Sequence, residues 1–143
     1  MYHYTESGLR NVWLVNGYTV RKINGEEYTS ITDADELHQV IGRSLARKTH
    51  LTGTELRFLR KELGLSQKRL GDMLDVSEQT VSLWERKGRM PKGFDRIVRA
   101  LYLEHLDGNV QIKEMIDRLI ELDQHTEAKL VFEDTRTGWK KAA

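Results

Sequence analysis

A chain of 143 residues with 38% apolar content suits one domain, or one domain with a small appendage, and can hold a core only if most apolar residues share it. Cysteine is absent, which excludes a disulfide framework, a cysteine zinc site and a cysteine nucleophile. The net charge of +1 does not by itself announce a nucleic-acid partner, and no apolar run approaches the ~18–20 residues of a membrane span. No signal peptide precedes the first residue, so a cytoplasmic protein with no membrane association is expected. The distribution of charge is more telling. Residues 1–50 carry six Lys/Arg and six Asp/Glu, 51–105 carry eleven and eight, and 106–143 carry six and eight. The basic excess is confined to the middle of the chain.

Residues 1–9 carry no clear pattern. Three strand-like runs follow, at 10–15, 18–23 and 26–31, separated by Asn16-Gly17 and Asn24-Gly25. Asn-Gly is the preferred pair for a two-residue type I′ hairpin, because both residues accept positive φ. A three-stranded meander is predicted, one that must pack on something to be stable. Asp33 can cap a helix over 34–48, with Leu37, Val40, Ile41 and Leu45 on one apolar face. Meander and helix together form a small α+β unit over 1–48. After a linker at 49–53, Thr54 is placed to cap a helix with Leu56, Leu59 and Leu63 inward and Arg57, Arg60 and Lys61 outward, stopped by Gly64.

The stretch 65–88, LSQKRLGDMLDVSEQTVSLWERKG, organises the rest. Ser66 and Ser77 are N-caps of two short helices, and Gly88 stops the second. Leu70, Leu74, Val76, Val81 and Trp84 all point inward if the chain makes a sharp corner near Asp75. Gly71 lets the second helix cross closely, and Asp75 tolerates the left-handed backbone that the corner needs. This is helix-turn-helix grammar, in which the second helix is free to enter a DNA major groove. Beyond the Pro91 loop, a helix is predicted over 94–105 (Phe94, Ile97, Val98, Leu101, Tyr102). Another follows over 110–125, with a wide apolar face of Val110, Ile112, Met115, Ile116, Leu119, Ile120 and Leu122 that covers the bundle or makes a dimer. A short strand at 130–132 and a loose tail from Thr135 complete the chain. The fold class is mainly α with a small N-terminal α+β unit: a helix-turn-helix bundle of about five helices preceded by a three-stranded antiparallel meander and one helix. The divisions expected are 1–48, 51–106 and 109–143, the last suited to dimerisation.

At 65–88 the chain resembles the Xre-like regulators of the Cro and lambda-repressor type, including Leu-Ser-Gln at the start of the motif, the Ser before the second helix and Trp-Glu near its end. Asp75 stands where that family often has Gly. The resemblance implies a prokaryotic DNA-binding transcriptional regulator. A weaker, whole-chain resemblance is to the MqsA-type antitoxin family, in which a zinc-binding N-terminal unit grips a toxin and the C-terminal unit dimerises on DNA. The zinc unit of that family needs paired cysteines. This chain has none, and Ser7 stands about where one is expected. What that resemblance implies is an autoregulating antitoxin's architecture, with residues 1–48 as a candidate toxin-binding unit, and no zinc.

Two kinds of DNA contact follow from the motif. Base reading falls to the exposed first turns of the second helix: Glu78, Gln79, Thr80 and Ser82. Gln pairs bidentately with adenine and Glu accepts from cytosine, whereas Leu83 can at best touch a thymine methyl. Phosphate contacts fall to Gln67, Lys68 and Ser77 at helix N-termini and to Arg86, Lys87, Arg89 and Lys92 around the end of the second helix. A half-site read by two or three side chains is short, so a homodimer on a palindromic operator is expected, acting as a repressor on double-stranded DNA. No enzyme, cofactor or metal site is expected. His3, His38, His50, His105 and His125 are scattered, with no metal-binding HExxH, glycine-rich phosphate loop or nucleophile elbow. The alternative is a protein-binding adaptor or toxin-neutralising module that uses the bundle without specific DNA binding.

Overall fold

The computed structural model describes residues 1–108, 111–123 and 132–142. Its N-terminal part holds two separate antiparallel ladders. In the first, β1 (Tyr2–His3) pairs with β2 (Trp13–Leu14). In the second, β3 (Tyr18–Ile23) pairs with β4 (Glu26–Ile31), in a register that runs from Tyr18 opposite Ile31 to Ile23 opposite Glu26. The three-stranded meander is therefore corrected, and the two Asn-Gly pairs show why. At Asn24-Gly25 both residues hold positive φ (53° and 82°), as a type I′ hairpin requires. At the other pair only Gly17 does (79°), so the chain does not double back there. The first run shortens to Trp13–Leu14 and finds its partner in residues 2–3, aided by Tyr4 N–H donating to Val12 O at 2.9 Å. Tyr4, Leu9 and Leu14 are buried beneath this ladder, so residues 1–9 supply core that the sequence pattern does not reveal.

Among the described residues six helices follow: α1 (Ala34–Ala46), α2 (Gly53–Glu62), α3 (Gln67–Leu74), α4 (Glu78–Lys87), α5 (Lys92–Leu106) and α6 (Gln111–Asp123). Asp33 caps α1 as expected, accepting from Glu36 N–H at 3.2 Å. The helix packs on α2 and α5, sharing its core with the motif-bearing bundle. Gly42 makes this possible, since a Cβ there would overlap the buried Tyr102 ring. Burial pushes the Tyr102 phenol up to about 12. Leu45 and Ala46 are buried, but Val40 stays exposed, so the inward face of α1 is narrower than its spacing predicts.

The cap of α2 is Thr52, not Thr54. Thr54 already lies in the first turn, and Thr52 wins because Glu55 stands three residues on and completes a capping box. From Thr54 the same count reaches Arg57, which cannot accept. Two of the expected positions in α5 also change. The helix starts after Pro91, two residues before Phe94, and Ile97 remains partly exposed. The apolar centre of the bundle is Leu51, Leu56, Leu59, Leu70, Val81, Val98 and Tyr102. Helix α6 packs on α3 and α5 and is tied by an Arg69–Asp117 ion pair, yet Met115 and Leu119 remain exposed. The tail from Thr135 is not loose: β5 (Phe132–Thr135) and β6 (Gly138–Lys141) form a third antiparallel ladder. Val110, His125, Leu130, Val131 and the side chain of Leu122 lie outside what is described.

Candidate nucleic-acid interface

The corner between α3 and α4 is set by four residues. Ser66 and Ser77 cap the two helices, accepting from Arg69 N–H at 2.9 Å and Thr80 N–H at 3.1 Å. Between them Asp75 takes the left-handed conformation (φ 57°, ψ 45°). Gly71 lies under the corner, where an added Cβ would come within 2.7 Å of Val76 O. Its amide chemistry is also used there, since Val76 N–H donates to Gly71 O at 2.9 Å. Leu70, Leu74, Val81 and Trp84 are buried and Val76 is partly so, as the spacing predicts. Phe94 of α5 packs against Trp84 with ring centroids 5.5 Å apart.

The position of α4 is fixed by a group that the sequence reading placed wrongly. Arg60 was expected to point outward, but it is buried. Its Nε and one terminal nitrogen donate to the two carboxylate oxygens of Glu85 at 2.7 and 3.0 Å, and the other terminal nitrogen donates to Leu65 O at 2.9 Å. This bidentate pair joins α2 to the middle of α4. A signal was present: Arg60 stands at i+4 from Leu56, on the same stripe as Leu59 and Leu63. Gly53 adds a second join. A Cβ there would meet the Trp84 and Glu85 carbonyls, so the start of α2 lies directly on α4. A third buried group, Asp95, accepts from Leu51 N–H at 2.8 Å and Arg99 Nε at 2.6 Å, and so anchors the linker before α2 to α5.

On this frame the outer face of α4 presents Glu78 and Gln79 fully exposed, Ser82 half-buried, and Leu83 exposed. Thr80 is half-buried and its hydroxyl pairs with the Ser77 hydroxyl at 2.9 Å, so both of these side chains are occupied within the cap. Gln67 is half-buried at the start of α3, its amide donating to Glu85 at 3.3 Å, which ties that N-terminus into the Arg60 cluster. Lys68, Arg86, Lys87 and Arg89 are exposed. Met90 is buried and anchors the loop that carries Arg89. Lys92 is exposed at the start of α5, with its ammonium donating to Thr49 O. The structure therefore gathers Gln67, Glu78, Ser82 and Arg86 around one open trough, with Thr54, Arg57 and Ser66 on its far wall.

The histidines are structural where they are described in detail. His38 sits between Tyr4 Oη and Glu62 at 2.7 Å each, against Phe58, and links the N-terminal segment to α1 and α2. His3 stacks on Trp13. The Ser7 hydroxyl accepts from Leu9 N–H at 3.3 Å and donates to Tyr4 O within a local turn. Among the described residues no cluster of His, Cys, Asp or Glu is arranged to hold a metal ion, and no helix is long and apolar enough to cross a membrane.

Comparison with known proteins agrees with this geometry over one segment. Residues 56–94 match the helix-turn-helix family model, a span that runs from the first turns of α2 to the start of α5. No curated protein and no solved structure matches the chain. Residues 56–94 are thus a helix-turn-helix of the Xre, Cro and lambda-repressor type, which supports a DNA-binding regulator.

Proposed function

We infer that this chain is a cytoplasmic, homodimeric repressor that reads a palindromic operator by placing α4 in the major groove, and that it represses its own promoter as an autoregulating antitoxin would. The observation that carries the reading is the outer face of α4. The Gln79 side chain is exposed and makes no hydrogen bond among the described residues, while the opposite face of the same helix is locked by Val81, Trp84 and the Arg60–Glu85 pair. A free amide on a rigid helix is what bidentate reading of adenine needs. Glu78 and Ser82 flank it, and Thr80 shapes the turn through its bond to Ser77. Lys68, Arg86, Lys87 and Arg89, with Gln67, Ser77 and Lys92, ring this face and supply phosphate contacts. One half-site gives too little discrimination, at roughly 1–3 kcal/mol per good bidentate contact, so two copies are required. The exposed Met115 and Leu119 of α6, one turn apart, support that helix as the surface between them.

The experiment is binding to a labelled duplex from upstream of the chain's own coding region, at two salt concentrations, with the number of chains per duplex measured. Wild type should form a salt-sensitive complex with two chains, and Gln79→Ala should lose about 1–3 kcal/mol of preference over unrelated duplex per half-site. A single bound chain would remove the palindrome from the reading.

A second reading has its own support. The N-terminal ladders expose Trp13, Val15, Val20, Ile23 and Tyr28, more large apolar surface than a solvated appendage needs. In this reading residues 1–48 hold a protein partner, a toxin in the antitoxin case, while the bundle serves as an adaptor. Absence of any complex with DNA at low salt would favour it.

A further inference from the structure

We propose that Arg57 of α2, which lies outside the two motif helices, is a DNA phosphate-binding residue that seats one strand in the trough beside α4. The proposal rests on the DNA-binding reading and extends it to a residue that the motif does not assign. Four arginines around the bundle are committed. Arg60 is buried on Glu85, Arg69 pairs with Asp117, Arg99 with Asp95 and Arg43 with Asp107. The Arg57 side chain is exposed and makes no hydrogen bond or ion pair among the described residues. It stands less than one turn before Arg60, so the bidentate grip of Arg60 on Glu85 and the close crossing at Gly53 fix the stretch of helix that carries it.

The trough that Arg57 borders is open and polar. Arg86 and Ser82 from α4 and Gln67 from the start of α3 line it too. Besides Arg60, which is held by Glu85, its cations Arg57 and Arg86 come from different helices and line one channel. The N-terminus of α3, with its free N–H groups, opens onto the same channel at Ser66 and Gln67. A polyanion strand is the occupant that fits this arrangement. Among the described residues that line the trough, Glu78 is the only carboxylate outside the Arg60 cluster, and as a first-turn residue of the reading helix it can accept from cytosine. Arg57 also sits one helical turn from Lys61, which is exposed but lies outside the trough. Lys61 is therefore an internal control for generalised charge.

The test is the salt dependence of binding to the upstream duplex and to an unrelated duplex for wild type, Arg57→Gln, Arg57→Lys and Lys61→Gln. Each phosphate contact adds about 0.9 to the slope of log affinity against log salt. With two chains bound, Arg57→Gln removes two contacts, so it should lower that slope by about 1.8 and weaken binding about 25- to 100-fold near 0.1 M salt, equally on both duplexes. Arg57→Lys should restore most of the slope, and Lys61→Gln should leave it unchanged. An unchanged slope for Arg57→Gln, with wild type binding normally, overturns the proposal and leaves the DNA reading standing. An equal loss for Lys61→Gln also overturns it, because the effect is then one of overall charge. If wild type shows no salt-sensitive binding to either duplex, the DNA reading itself fails and the proposal with it. Gln79→Ala separates the two further, since it should alter preference between duplexes without altering slope.

Discussion

Asp75 and Asn24 both hold left-handed backbone, at φ 57° and 53°, in opposite surroundings. Asp75 turns the corner between α3 and α4, over Gly71 and between buried Leu74 and half-buried Val76, with α4 behind it. Asn24 turns the tip of the β3–β4 hairpin, whose residues are nearly all exposed on both faces. The same local device serves two different purposes. In the bundle it aims one helix against others, and the packing holds the backbone in place. In the hairpin the turn chemistry and the ladder bonds specify the shape almost alone. Stability in this chain is therefore concentrated in α1 to α5, and the hairpin borrows little of it.

The largest effect should come from breaking the bundle's internal pair. Glu85→Ala leaves the Arg60 guanidinium buried with only Leu65 O as an acceptor, and removes the acceptor of Gln67 as well. A loss of about 3–5 kcal/mol in urea unfolding is expected, since an unpaired buried charge is what costs most. Replacing both partners with apolar residues of similar volume should recover most of that loss. If Glu85→Ala costs no more than an exposed substitution, the pair does not hold α4 in place and the rigid reading face loses its foundation.

That pair also marks the limit of what the residues alone reveal. The two-helix motif is legible because caps, corner and core all lie within 24 residues and each is a local preference: Ser66, Ser77, Asp75 and Gly88 sit where the pattern puts them. The partners of Arg60 and Gly53 are 25 or more residues away, and spacing along one helix cannot show what crosses it. The meander fails for a related reason. Asn16-Gly17 and Asn24-Gly25 look alike in sequence, but the strand before Asn16 is claimed by residues 2–3, a pairing set by burial of Tyr4 and Leu14 and not by the turn. At the interface, exposure of Glu78 and Gln79 follows from the helix phase. The occupation of Ser77 and Thr80 by each other, and the approach of Arg57 to the trough, require the fold.

A moderate effect is expected at the corner. Asp75 carries a Cβ in a conformation that costs a non-glycine residue roughly 1–2 kcal/mol, less for Asp than for most. Asp75→Gly relieves that cost but gives the unfolded chain more freedom. A net gain of up to about 1 kcal/mol in urea unfolding is therefore expected, with DNA affinity unchanged because Asp75 lies at the back of the reading face. A loss of stability would show that the Asp75 side chain contributes more than tolerance of the backbone.

The smallest global effect should come from the matching residue in the hairpin. Asn24→Ala puts a poor left-handed former at φ 53°, which weakens the type I′ turn by about 1 kcal/mol locally. The hairpin is held to the rest mainly at its base. There Thr32 N–H donates to Gly17 O at 2.8 Å and the Tyr2 and Tyr18 rings meet at 5.1 Å, while its tip is free of the core. The midpoint of global unfolding should therefore move by no more than about 0.5 kcal/mol, the range of an exposed site. Amide exchange should tell the two regions apart: faster over 18–31, unchanged over α2 to α5. A full loss transmitted to the bundle would mean that the hairpin unfolds with α1 as one unit. The exposed Val20, Ile23 and Tyr28 would then belong to a cooperative domain, which would make residues 1–48 a preformed partner surface instead of an independent arm.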